Sequence, residues 1–210
     1  MNIELEHLLP GEIEKRSFEI ITQELAGRQL NPEHELIIKR AIHTTADFDY
    51  ADNLCFSEQV VPKALQALKE GADIVTDTQM ARAGINKRTL AKFGGSVHCF
   101  IADEDVALEA KERGITRSAV SMEKAAKLNK KLIFAIGNAP TALVKLYEMI
   151  QEGSIEPEMI IGVPVGFVNV IPSKELIMQT KVPYIIAKGR KGGSNVAAAV
   201  CNALLYQLPV

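Results

Sequence analysis

The chain has 210 residues, 47% of them hydrophobic and 24% charged, which suits one ordinary domain with a full core and leaves little room for disorder. A formal net charge of −2, with no block of Lys and Arg, speaks against a partner with a phosphate backbone. No apolar run approaches the roughly 18–20 residues of a membrane helix, and MNIELEHLLP lacks the basic and apolar regions of a secretory leader, so no membrane contact and a cytoplasmic location are expected.

Taken in order, the chain first shows apolar residues at Ile13, Phe18, Ile20, Ile21 and Leu25, a helical stripe over Glu12 to Ala26 that stops at Gly27. Pro10 and Gly11 read as the turn before it. Ser17 lies mid-helix, where a serine usually faces solvent or bonds back to a carbonyl. A second helix is expected from Pro32 to about His43, with Asn31 as N-cap, Pro32 at the first position and Glu33 and Glu35 complementing the dipole. Arg40 and His43 then share one face, a turn apart. An imidazole titrates near neutral pH, so it can serve as acid or base, although capping the helix end is an equally available role. Asp47, Asp49 and Asp52 follow, without the glycine and terminal Glu of a calcium loop.

From Ser57 onward helices alternate with short apolar runs. Strands are expected at Asp73–Thr76, Ser96–Ile101, Lys131–Ile136, Met159–Val163 and Pro183–Ala187, with helices between them, and a last helix at Asn195–Gln207. This rhythm predicts a three-layer α/β protein: about five mainly parallel strands, flanked by helices, in one domain over residues 1–210. Ligands of such sheets bind beyond the carboxyl ends of the strands. There lie Thr76-Asp77, Gly137-Asn138, Gly162 to Asn169, and the run from Lys188 through Arg190, Gly192 and Ser194 to Asn195. The last joins three cations to the start of a helix, a favourable place for an anion, or else is a basic turn. Neither dinucleotide nor P-loop glycine fingerprint is present. Cys55, Cys99 and Cys201 are too far apart for a CxxC metal site and read as reduced, and no histidine has a second one spaced to share a metal.

Six ordered segments carry a resemblance that spans nearly the whole chain: Ile13 to Phe18, Arg40 to Phe48, Asp77 to Ile85, Gly137 to Thr141, Ile161 to Asn169 and Gly189 to Ser194. In these the chain resembles the precorrin-8X methylmutases of cobalamin biosynthesis, the cobalt-precorrin-8 enzymes included. The resemblance implies a homodimeric α/β isomerase that moves a methyl group from carbon 11 to carbon 12 of a tetrapyrrole by a 1,5-sigmatropic shift, with no cofactor. It places the proton donor and acceptor on His43 and substrate contacts on Ser17 and Arg40. A macrocycle fringed with carboxylates also suits Arg190, Gly192 and Ser194, and Arg117 is a further candidate contact. Relatives implied by the resemblance often carry glycine where this chain has Ala46. A corrinoid-binding carrier without catalysis is the alternative reading.

Overall fold

A computed structural model describes residues 6–209; residues 1–5, half of the segment read for a leader, and residue 210 lie outside the described residues. Six strands form one sheet in the order β1-β6-β5-β4-β2-β3: β1 Leu54–Phe56, β2 Asp73–Thr76, β3 Val97–His98, β4 Leu132–Ile136, β5 Met159–Gly162 and β6 Tyr184–Ala187. All pairings are parallel except β1 with β6. β4, with helices on both faces, is buried at every position, which is why its sequence is continuously apolar.

The helices make the outer layers. On one face α1 (Pro10–Glu24), α2 (Pro32–Thr45), α4 (Val60–Lys69), α5 (Gln79–Gly84), α6 (Lys87–Ala91) and α11 (Ser194–Leu205) share a core with Ile74, Ile133, Ile161 and Ile185. On the other, α8 (Arg117–Ala126), α9 (Pro140–Gln151) and α10 (Val170–Met178) pack on Val75, Phe134, Ile136 and Ile160. Outside them α7 (Glu104–Arg113) buries Val106 and Ala110 against Val120 of α8. α11 is the innermost helix, with nine of its residues buried and an alanine-rich surface that lets neighbours approach closely.

Three sequence expectations need correction. The sheet has a sixth strand: β1 follows the one-turn α3 (Tyr50–Asn53) and runs antiparallel to β6, pairing Leu54 with Ala187 and Phe56 with Ile185. Three residues are too few to show a strand period, so the sequence does not mark this segment as a strand. The run Ser96–Ile101 contributes only Val97–His98, because β3 is an edge strand with β2 as its one neighbour. The stripe on the first helix is not all core, and Pro10 and Gly11 belong to the helix itself: Ile21 and Leu25 are buried, whereas Ile13 is 53% exposed and Ile20 is 37% exposed.

α2 is built as its sequence suggests at the start: the Asn31 side chain accepts from the Glu33 N–H at 3.0 Å. Its end lies two residues beyond His43, at Thr45, and is closed by Ala46 in the left-handed region (φ 54°, ψ 26°), whose N–H donates to the Ile42 carbonyl at 2.7 Å. An L-residue with a Cβ is strained there, and glycine is not. Replacing Ala46 with glycine is therefore expected to stabilise the fold by about 1 kcal/mol, read as a higher urea midpoint with an unchanged slope.

Candidate active site

The carboxyl ends of the strands are held together by backbone contacts that only small residues permit. A Cβ on Gly137, just past β4, would stand 2.7 Å from the Ser194 Cα, and one on Gly192 would overlap the Val163 carbonyl. The Gly193 N–H donates to that same Val163 carbonyl at 2.9 Å. The β6–α11 turn thus lies directly on the ends of β4 and β5. Asp77, just past β2, is 1% exposed and accepts from the N–H groups of Gly137, Asn138 and Ala139 at 2.9, 2.8 and 2.6 Å. Burial pushes its carboxyl above the usual range, and the three backbone donors oppose that shift. The start of α9 is therefore filled by a carboxylate of the chain itself, while no side chain caps α11.

Beside this edge, on the α2–α11 face, a cleft of about 280 Å³ is lined by Arg40, His43 and Thr44 of α2, Gly84 of α5, and Asn195, Ala198, Ala199, Asn202 and Tyr206 of α11 or its end. His43 is exposed to solvent within it, and its ring lies 5.5 Å from the ring of Phe18 on α1. Arg40 stands one turn behind, with its guanidinium carbon 4.8 Å from the Phe18 ring and 5.2 Å from the Tyr206 ring. Its Nη2 donates to Glu14 Oε1 at 2.7 Å, and this hydrogen bond holds the Glu14 carboxyl below its usual range. Its Nε is buried and has no partner. A guanidinium one turn from an accessible imidazole can bind a carboxylate beside a group that moves a proton.

The glycine-rich loop after β6 is divided in its chemistry. Lys191 is committed: its ammonium contacts Asp47 and Asp49, each at 2.6 Å, tying the loop to the turn that follows His43. Those contacts raise the pKa of Lys191 and hold the Asp47 carboxyl below its usual range. Arg190 is exposed, with its guanidinium carbon 5.4 Å from the ring of Phe167, which is itself 81% exposed on the β5–α10 loop. Ser194 Oγ is 2.8 Å from Thr78 Oγ1, which also caps α5. Beneath the loop Lys174 of α10, 2% exposed, donates to the carbonyls of Gly189 and Lys191 at 2.8 and 3.0 Å.

Of the residues singled out in the sequence, Arg40 and His43 line one cleft, and Asn195, next to Ser194, joins them. Ser17, Arg117, Arg190, Gly192 and Ser194 do not line it. Ser17 donates back to the Ile13 carbonyl at 2.8 Å. Arg117 opens α8 in the opposite helical layer; its neighbour Thr116 donates to Thr141 at 2.9 Å, so it too stands at the carboxyl edge, but across the sheet from His43. Asn202 and Tyr206 escaped the sequence reading, although polar groups four residues apart at the end of an otherwise apolar helix were the available signal. Nothing local distinguishes Lys174 from a surface lysine. Among the described residues no group of three His, Cys, Asp or Glu side chains is arranged to hold a metal ion, and no helix is long and apolar enough to cross a membrane.

A three-layer α/β enzyme with an accessible histidine beside the carboxyl ends of a parallel sheet is the class these features define. The family model for precorrin-8X methylmutase matches residues 12–207, and the chain belongs to that family. It is 47% identical over 205 residues to the cobalt-precorrin-8 methylmutase of Salmonella typhimurium, covering 95% of this chain and 96% of the relative. It is 43% identical over 195 residues to the cobalt-precorrin-8 methylmutase of Priestia megaterium, covering 93% and 87%. A solved structure of the precorrin-8x methyl mutase from Thermus thermophilus matches with a TM-score of 0.85 at 36% identity, over 93% of this chain and 96% of that one.

The Lys191 tie yields a prediction with a definite sign. Lys191→Ala removes the cation that lowers the Asp47 pKa, so the Asp47 carboxyl should titrate at higher pH, as followed by NMR of its side chain. Because the pair is largely solvent-accessible, the loss in stability at neutral pH should be small.

Proposed function

We propose that this methylmutase, an isomerase of cobalamin biosynthesis, takes precorrin-8 in its cobalt-containing form and moves the methyl group on carbon 11 to carbon 12 of the ring. The names of both curated relatives described above favour the cobalt form. The metal would arrive chelated by the macrocycle, as part of the substrate. A sigmatropic shift keeps the molecular formula: the bond from the methyl to carbon 11 breaks as the bond to carbon 12 forms, and no electrons leave the ring. What the protein has to supply is placement and one proton, held or released as the double bonds rearrange. His43 is the group for the proton. The observation that carries this reading is that its exposed imidazole shares a cleft with the Arg40 guanidinium. The remaining candidate contacts are Ser17, Arg117, Arg190, Gly192 and Ser194, with Arg190 presenting a charge beside the exposed Phe167 ring.

The reading includes a homodimer, a single domain over residues 1–210 and a cytoplasmic location. A cleft of about 280 Å³ falls below the roughly 300–1,000 Å³ of pockets that enclose drug-sized ligands. A macrocycle with its side chains would therefore lie across the mouth and leave one face to be covered. Leu9 and Ile13 at the start of α1, 69% and 53% exposed, offer apolar surface that a second copy would bury.

The test is anaerobic incubation of the purified chain with cobalt-containing and metal-free precorrin-8, followed by absorption spectra, on a sample whose mass is measured by sedimentation. The expected result is conversion, faster with cobalt, by a particle of twice the 23.0 kDa chain mass. His43→Ala should lose about 10²–10⁴-fold in rate while still binding product. Binding without conversion by the unaltered chain would establish the carrier instead, and a monomer that turns over at full rate would remove the dimer from the account.

A further inference from the structure

Lys174 is a buried cation with no counter-charge. It is 2% exposed at the middle of α10, and burial alone brings its pKa down to about 8, with no carboxylate contributing. Lysine is almost never fully buried without an acidic partner, because an ammonium in a low-dielectric site is costly. What this one has instead is two carbonyl oxygens, of Gly189 at 2.8 Å and of Lys191 at 3.0 Å. These are the residues on either side of Arg190. The carbonyl between them faces elsewhere, accepting from the Gly166 N–H at 3.1 Å. The peptide units around Arg190 are thus fixed from two directions, by α10 below and by the β5–α10 loop alongside. Gly189 (φ 75°) and Gly193 (φ 141°) adopt the positive φ values that a turn of this shape requires. The loop is anchored at its ends, where the Lys188 N–H donates to the Asn53 carbonyl at 2.8 Å and the Gly193 N–H to the Val163 carbonyl at 2.9 Å, so without Lys174 the tip between them would rest on the Gly166 contact and the exposed Lys191 pairs.

We propose that Lys174 is a positioning residue: by holding the Gly189 and Lys191 carbonyls it sets the direction in which the Arg190 guanidinium meets a substrate carboxylate. This rests on the reading of Arg190 given under Proposed function. A lysine suits the task better than a neutral donor. Its flexible stem crosses the gap from α10, and one nitrogen supplies donors to two carbonyls at once. Charge on the nitrogen strengthens both hydrogen bonds. The cost of burying it falls on stability, and the benefit falls on binding.

Three variants separate this role from a general structural one: Lys174→Met, Arg190→Ala and the double variant, each assayed for conversion of cobalt-precorrin-8. Lys174→Met should raise KM about tenfold while kcat stays within about twofold, the pattern of lost binding that is equal in ground and transition states. Because Lys174 acts through Arg190, the double variant should have the KM of Arg190→Ala alone. An unchanged KM in Lys174→Met overturns the proposal, and so do two KM factors that multiply in the double variant. The unaltered chain provides a check that needs no variant to fold. Trypsin should spare the bonds after Arg190 and Lys191 while it cuts after exposed lysines elsewhere, and early cleavage at either bond overturns the proposal. If the unaltered chain turns over nothing, the functional reading has failed. If it turns over and Lys174→Met matches it, only this inference has failed.

Discussion

The carboxyl edge of this sheet is governed by one steric constraint: the β6–α11 turn must pass in backbone contact with the ends of β4 and β5. Gly137 lies against Ser194 and Gly192 lies against Val163, and in neither place is there room for a Cβ. This contact fixes where α11 begins. α2 packs along α11, so the same contact fixes the level at which His43 and Arg40 look out beside the strand ends. The chemistry of the cleft is borrowed from helices, but its location is set by glycine.

Around that constraint the charges are arranged to hold backbone in place. Asp77 occupies the start of α9, Lys174 holds the outside of the Arg190 turn, and Lys191 ties that turn to Asp47 and Asp49 beyond His43. These three side chains are thereby withdrawn from ligand binding, while the His43 ring and the Arg190 guanidinium stay exposed. A carboxylate-rimmed, planar substrate matches a site that offers separated cations and aromatic edges more closely than a compact phosphate would. The three donors on Asp77 also remove the α9 N-terminus from the anion sites that an α/β sheet commonly provides.

Much of this was legible in the sequence where the physics is local. The capped start of α2, the apolar runs of β2, β4, β5 and β6, and the shared face of Arg40 and His43 all follow from spacing within one element. What could not be read depends on partners distant in the chain. β1 is a strand only because β6, about 130 residues later, has a free edge for it. Lys191 belongs with the cations of its loop by sequence and with Asp47 and Asp49 by structure. Lys174 sits in a helix segment whose pattern gives no hint of burial, since the carbonyls it serves come from a turn with no pattern at all. The exposed isoleucines of α1 mark a different limit: an apolar stripe says that something is to be covered, and not what covers it.

The central claim is that His43, among the four histidines of the chain, is the one that meets the tetrapyrrole. Nitrogen NMR of the histidine side chains during titration with the cobalt-containing product tests it most directly. The account predicts a saturable shift of the His43 ring nitrogens, with His98, held by Asp73 at 2.9 Å near the other end of the sheet, left where it was. A titration in which product binds and the His43 signals stay fixed would contradict it.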